Sequence, residues 1–135
     1  MNKERILREL SFLREGGLVA ELVENASPKP VVLYRDVPSG GECVGVAPKE
    51  DVIVPVPDGY PGALIDGAGL TVGNPLLPRL QGGGNDQGRY SADNRNWQLA
   101  SYHPHNGGGG PSWDQMKYGF HTYIDHLIAW LHRIS

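Results

Sequence analysis

The chain has 135 residues, 39% of them hydrophobic and 20% charged, and a formal net charge of -3. That length predicts one domain over residues 1–135, able to bury roughly two-thirds of the surface its unfolded form exposes. The charge balance excludes a basic footprint for nucleic acid, and no apolar run approaches the roughly 20 residues of a membrane span.

The charged opening, MNKERILREL, lacks the apolar stretch of a signal peptide, so a cytoplasmic address is expected. One cysteine, Cys43, excludes an internal disulfide and a cysteine-based zinc cage. Residues 2–15 read as a helix. Asn2 is placed to cap it, and Ile6, Leu10 and Leu13 recur on one face before Gly16-Gly17 ends it. Leu18–Glu24 predicts a first strand, Asn25–Pro30 a turn, and Val31–Arg35 a second strand rich in β-branched residues. Val52–Val56 predicts a third strand, with an edge exposed near Pro55 because proline cannot donate to a ladder.

From Gly59 to Arg89 the pattern predicts no element beyond a short apolar run at Leu76–Leu80. The 19 glycines are about twice the usual share of about 7%, and most lie between Gly59 and Gly119. Asn96–Tyr102 predicts a final strand. Phe120, Tyr123, Ile124, Leu127, Ile128 and Leu131 then fall on one face of a helix over Gly119–Leu131. The sum is an α+β domain: an N-terminal helix, an antiparallel meander of three to four strands, a long Gly-rich segment and a C-terminal helix.

Few residues carry a chemical signal. Cys43 is a candidate nucleophile only if the fold brings it a histidine, a cation or a helix N-terminus, since Glu42 and Val44 supply none of these. Its bland alternative is a small, partly buried residue in a loop. The stretch Tyr102-His103-Pro104-His105-Asn106 offers two imidazoles around a rigid proline, and Asn106 has an amide able to donate to an oxyanion. The adjoining Gly107–Gly110 lets backbone N–H groups approach a ligand. His121 and Asp125 stand one turn apart on the last helix, with His132 near the same line. His103, His105 and His121 therefore form a conceivable zinc set, although no metalloprotease spacing is present. Neither glycine cluster has a phosphate-loop context, and no serine sits in a G-x-S-x-G elbow.

Two motifs combine into a family resemblance. Val54-Pro55-Val56-Pro57-Asp58-Gly59-Tyr60-Pro61 resembles the strand end and Tyr-Pro pair of ubiquitin-conjugating (UBC) enzymes. Tyr102-His103-Pro104 followed by Asn106 is similar to the His-Pro-Asn turn before their active site. Trp113 and the last helix resemble the tryptophan and helix that those enzymes carry after the turn. The pair DVIVPVPDGYPGALIDGAG and WQLASYHPHNGGGG further resembles a bacterial branch, encoded beside ubiquitin-like proteins, an activating enzyme and a JAB-type isopeptidase. His105 is an insertion relative to the usual turn, no cysteine comes after it, and the further C-terminal helices of many relatives are absent.

The resemblance implies a UBC-like fold and a partnership with a ubiquitin-like protein and its activating enzyme, without cofactor or metal. A thioester in such a protein falls to Cys43, with His103 or His105 as base and Asn106 and glycine N–H groups facing the oxyanion. Lys3, Arg5 and Arg8 would dock the activating enzyme; Tyr60, Pro61, Gly107, Gly108 and Trp113 would contact the partner. The alternative is a catalytically inactive adaptor of the same fold, and a histidine-based metalloenzyme is a third reading.

Overall fold

The computed structural model describes residues 2–39, 49–79, 88–105 and 111–134. Cys43, Asn106, Gly107 and Gly108, together with Gly82–Gly84 and the rest of the four-glycine run, lie outside the described residues. The first helix, α1, spans Lys3–Glu15, and the Asn2 side chain accepts a hydrogen bond from the Arg5 N–H at 3.2 Å. Six strands follow: β1 (Val19–Val23), β2 (Val31–Pro38), β3 (Lys49–Pro55), β4 (Ala68–Thr71), β5 (Arg89–Ala92) and β6 (Arg95–Ala100). The closing helix, α2, spans Phe120–Ile134. The architecture is α+β, with one antiparallel sheet in the order β1-β2-β3-β4-β6-β5.

The strand number is a correction. β4 lies inside the stretch read as irregular because its four residues, AGLT, are too few and too small to show a period. β5 begins at the end of that stretch, and in its RYSA the exposed residues mask the pattern. Its turn to β6 is Asp93-Asn94, both at positive φ (54° and 57°), a primed hairpin turn made without the usual glycine. Of the apolar run Leu76–Leu80, the described residues form a 3-10 turn at Leu77–Arg79, and Leu80 lies outside them.

The expected edge at Pro55 is also corrected. β3 lies inside the sheet, between β2 and β4, and Pro55 is buried. Val56 N–H donates to the Pro30 carbonyl at 3.0 Å, so by alternation the Pro55 nitrogen faces away from β2. It lies past the one β3–β4 pair, Ile53 with Gly69, where no ladder bond is asked of it. A Cβ on Gly69 would sit 2.7 Å from Ile53 Cγ1, so only glycine lets these strands approach.

Alternation sorts the sheet into two faces. Val32, Tyr34, Val52 and Val54 join the main core with Ile6, Leu10 and Leu13 of α1 and Phe120, Tyr123, Leu127 and Leu131 of α2. Each large apolar side chain so buried contributes about 1.5–3 kcal/mol relative to exposure. Val31, Leu33 and Ile53 point the other way, into a smaller cluster around the fully buried Trp97. Between Tyr34 and Val37 the β2–β3 register slips by a bulge, which returns Val37 to the helix side. The sheet curls until the β1–β2 loop meets its far edge: Ser27 and Ser91 exchange two backbone hydrogen bonds of 2.9 Å.

One carboxylate joins the two helices to the segment after β3. Glu9 is buried, with its side chain 4% exposed. Its Oε1 accepts from the Tyr60 hydroxyl at 2.6 Å and from the Phe120 N–H at 3.1 Å, and its Oε2 accepts from Arg5 Nε at 2.8 Å. Phe120 N–H is an orphan donor at the start of α2, where negative charge is also favoured by the helix dipole. A Cβ on Gly119 would lie 2.3 Å from Glu9 Oε2. Since three donors hold that carboxylate, Gly119→Ala is expected to cost about 1–3 kcal/mol in chemical denaturation. Gly16→Ala, where a Cβ meets nothing closer than 3.5 Å at φ -84°, is expected to leave stability unchanged or slightly raised. Equal losses in both variants would contradict this assignment.

Candidate functional site

Strand β6 delivers the residues of interest, since Ser101 to His105 continue directly from its end. The backbone there is pinned: Ala100 pairs with Ala68, and Gly67 N–H donates to the Tyr102 carbonyl at 2.7 Å. Tyr102 packs between the sheet and α2, its hydroxyl donating to the His126 carbonyl at 2.9 Å. Pro104 is buried, and the two histidines that flank it have different surroundings.

His105 lies in the interior at 5% exposure. Its Nδ1 donates to the Pro111 carbonyl at 3.0 Å, while Nε2 is buried without a hydrogen-bond partner. The ring centroid lies 5.2 Å from Trp113, 4.8 Å from Tyr118 and 5.0 Å from His126. Trp113 in turn donates from its indole N–H to the Pro61 carbonyl at 3.0 Å and packs 6.2 Å from Tyr60. The Tyr60-Pro61 turn, the histidine turn and Trp113, distant in sequence, thus form one aromatic cluster at the start of α2. An open groove of about 640 Å³ runs beside it, lined by Gly62, Trp113, Asp114, Gln115 and Tyr118.

Several expected roles change. Tyr60 is 3% exposed and bonded to Glu9, so it braces the turn instead of meeting a partner. Burial first, then the Glu9 carboxylate, pushes its phenol far above the ordinary tyrosine range, so it remains a donor. Arg5 is not a free docking cation. It pairs with Glu9, donates to the Gln115 carbonyl and, at 3.0 Å, to the Tyr118 carbonyl, and so braces the groove wall. Lys3 pairs with Glu24 at 3.1 Å, and Arg8 is exposed. Pro61 and Trp113 are half-buried at the cluster.

The zinc set does not assemble. His121 Nδ1 lies 3.9 Å from Glu9 Oε2, whereas Asp125 is exposed and His132 Nδ1 donates to the Ile128 carbonyl at 2.8 Å. Among the described residues no group of three His, Cys, Asp or Glu is placed to hold a metal ion. No helix among them is long and apolar enough to cross a membrane.

His103 is half-exposed and engaged at both ring nitrogens. Nδ1 lies 2.7 Å from Asp66 Oδ2, and Nε2 lies 2.7 Å from Ser101 Oγ. Asp66 was missed in the sequence because 37 residues separate its carboxylate from the imidazole, and Ser101, two residues before His103, because without that carboxylate it is an ordinary serine at a strand end. His126 was missed too; it sits on α2 three residues after Tyr123, at the flank of the apolar face, which is the one signal it offers.

No family model, no curated protein and no solved structure matches this chain.

Burial, and next the nearby His105, hold the His126 imidazole below its ordinary value; Asp125 opposes this and Arg133 adds to it. The unfolded chain therefore binds a proton at this site before the folded protein does. Stability from this group is intact above about pH 6.5 and falls as pH drops toward the depressed folded value. Denaturation at about pH 7.5 and about pH 5.5 should show a larger acid loss in the parent than in His126→Gln. Identical losses would contradict the burial of this ring.

Proposed function

We propose that the chain is a UBC-like protein of a bacterial ubiquitin-like pathway, which receives or positions an activated ubiquitin-like protein at the groove beside Trp113. The observation that supports this reading is the meeting of the residues that carry the resemblance. The Tyr60-Pro61 turn, the histidine turn and Trp113 share one cluster at the start of the last helix. The order of helix, antiparallel strands, Tyr-Pro turn, His-Pro turn, tryptophan and helix also suits it.

Two roles fit that placement. In the first, Cys43 takes the tail as a thioester by exchange with the activating enzyme: a new carbon–sulfur bond forms as the enzyme's own breaks. In the second, the protein is a non-catalytic adaptor for the ubiquitin-like protein or the activating enzyme. The second is favoured by His105, whose ring is buried among aromatics and tied through Nδ1 to the Pro111 carbonyl, where it fills space.

The test mixes the protein with its operon's activating enzyme, the ubiquitin-like protein and ATP, followed by a non-reducing gel. A reducible adduct that disappears in Cys43→Ala supports the carrier. Saturable binding to either partner without an adduct supports the adaptor. Neither adduct nor binding overturns the pathway assignment.

A further inference from the structure

At the far end of Ser101 and His103 lies a second cleft, of about 260 Å³, separate from the groove beside Trp113. Pro55 and Leu99 give it apolar walls, Lys29 and Tyr90 bring polar groups, and Asp66, Ser101 and His103 line it together. The three side chains form a hydrogen-bonded chain. A carboxylate only accepts, so His103 Nδ1 donates to Asp66 Oδ2; in the ring's neutral form Nε2 accepts from the Ser101 hydroxyl. This is the connectivity that makes a serine nucleophilic: the carboxylate holds the tautomer, and the free imidazole nitrogen takes the hydroxyl proton.

We propose that Ser101, His103 and Asp66 form a nucleophilic relay that takes an acyl group from a small activated ester or thioester bound in this cleft. Three observations carry it beyond a chance surface contact. Both nitrogens are engaged at 2.7 Å, in the order the chemistry needs. The relay stands on fixed backbone, since Ser101 lies between Ala100, paired in the sheet, and Tyr102, whose carbonyl is bonded to Gly67. Asp66 directly precedes Gly67, which is held at φ 82° and whose carbonyl accepts from the Tyr123 hydroxyl at 2.9 Å. Finally, Asp66 Oδ1 is buried without a hydrogen-bond partner among the described residues, a group whose desolvation is costly.

The chemical step balances within these groups and a water molecule. Ser101 Oγ bonds to the acyl carbon as its proton passes to His103 Nε2, and the bond from carbon to the leaving oxygen or sulfur breaks. His103 returns that proton to the leaving group. Water then attacks the acyl–serine ester, giving its proton to His103, and Ser101 leaves with that proton as the carboxylic acid departs. Lys29, whose Nζ lies 3.9 Å from Asp58 Oδ1, and Tyr90 line the same cleft and are the donors it offers to an oxyanion; burial raises the Tyr90 phenol, with Asp58 adding to it, so it stays protonated. The cleft, of about 260 Å³, has room for a short acyl group.

The inference is independent of the ubiquitin-like pathway, and so is its test. The full chain is incubated with p-nitrophenyl acetate and, separately, with an alkyl fluorophosphonate, then followed by intact mass and peptide mapping. The expected result is one phosphonyl adduct per chain on Ser101 and turnover of p-nitrophenyl acetate, both absent in Ser101→Ala. His103→Gln and Asp66→Asn should slow saturated labelling by a factor on the order of 10² to 10⁴. In Asp66→Asn the half-saturating probe concentration and the melting temperature should stay near the parent's, which separates a positioning role from a structural one. Absence of an adduct, modification of another residue, or an unchanged rate in Asp66→Asn would overturn the relay.

Discussion

Glu9 is the constraint on which the rest of the structure depends. A carboxylate with 4% of its side chain exposed is costly unless its oxygens are bonded, and here Arg5, Tyr60 and Phe120 all donate to it. Those three donors come from α1, from the turn after β3 and from the first residue of α2. One charge therefore fixes the separation of three elements that hydrophobic contact alone would let slide. Tyr34 reinforces the arrangement from the sheet, its hydroxyl donating to the Phe120 carbonyl at 2.7 Å. Gly119 is the cost of the arrangement in sequence terms, because no side chain fits against the carboxylate.

With the start of α2 held, the chain that leaves β6 has two sides to serve. Pro104 separates His105, which packs into the aromatic cluster, from His103, which reaches Asp66 and Ser101 at the cleft. A single five-residue stretch thus packs against Trp113 beside the groove and lines part of a small polar cleft. The proposed ubiquitin-like partnership rests on the groove, and the proposed acyl relay rests on the cleft. Both need β4 at their back: Gly67 anchors Tyr102 and Gly69 admits Ile53.

Periodicity was legible where an element was long. Ile6, Leu10 and Leu13 of α1 and the Phe120–Leu131 face of α2 are buried as their spacing predicts, and the strands around Val31–Arg35 and Val52–Val56 lie where β-branched residues cluster. β4 and β5 were not legible, because four residues are too few to display alternation and the Asp93-Asn94 turn lacks glycine. Of the candidate site, the histidine turn stands out by composition alone. Its contacts do not, since Asp66 is one of many carboxylates until β4 and β6 pair. The role of Glu9 was not legible for a related reason: at i+4 from Arg5 its sequence context is that of any helix ion pair, and only the arrival of Tyr60 and Phe120 covers it.

The central claim is that the Glu9 carboxylate is energetically tied to the Tyr60 hydroxyl and not merely adjacent to it. A double-mutant cycle with Glu9→Ala and Tyr60→Phe, read by chemical denaturation, measures that tie directly. A coupling of about 1.5–3 kcal/mol, as befits a buried hydrogen bond to a charged group, is the expected result. Additivity within about 0.5 kcal/mol would contradict it and remove the clamp that places the turn, the groove and the second helix together.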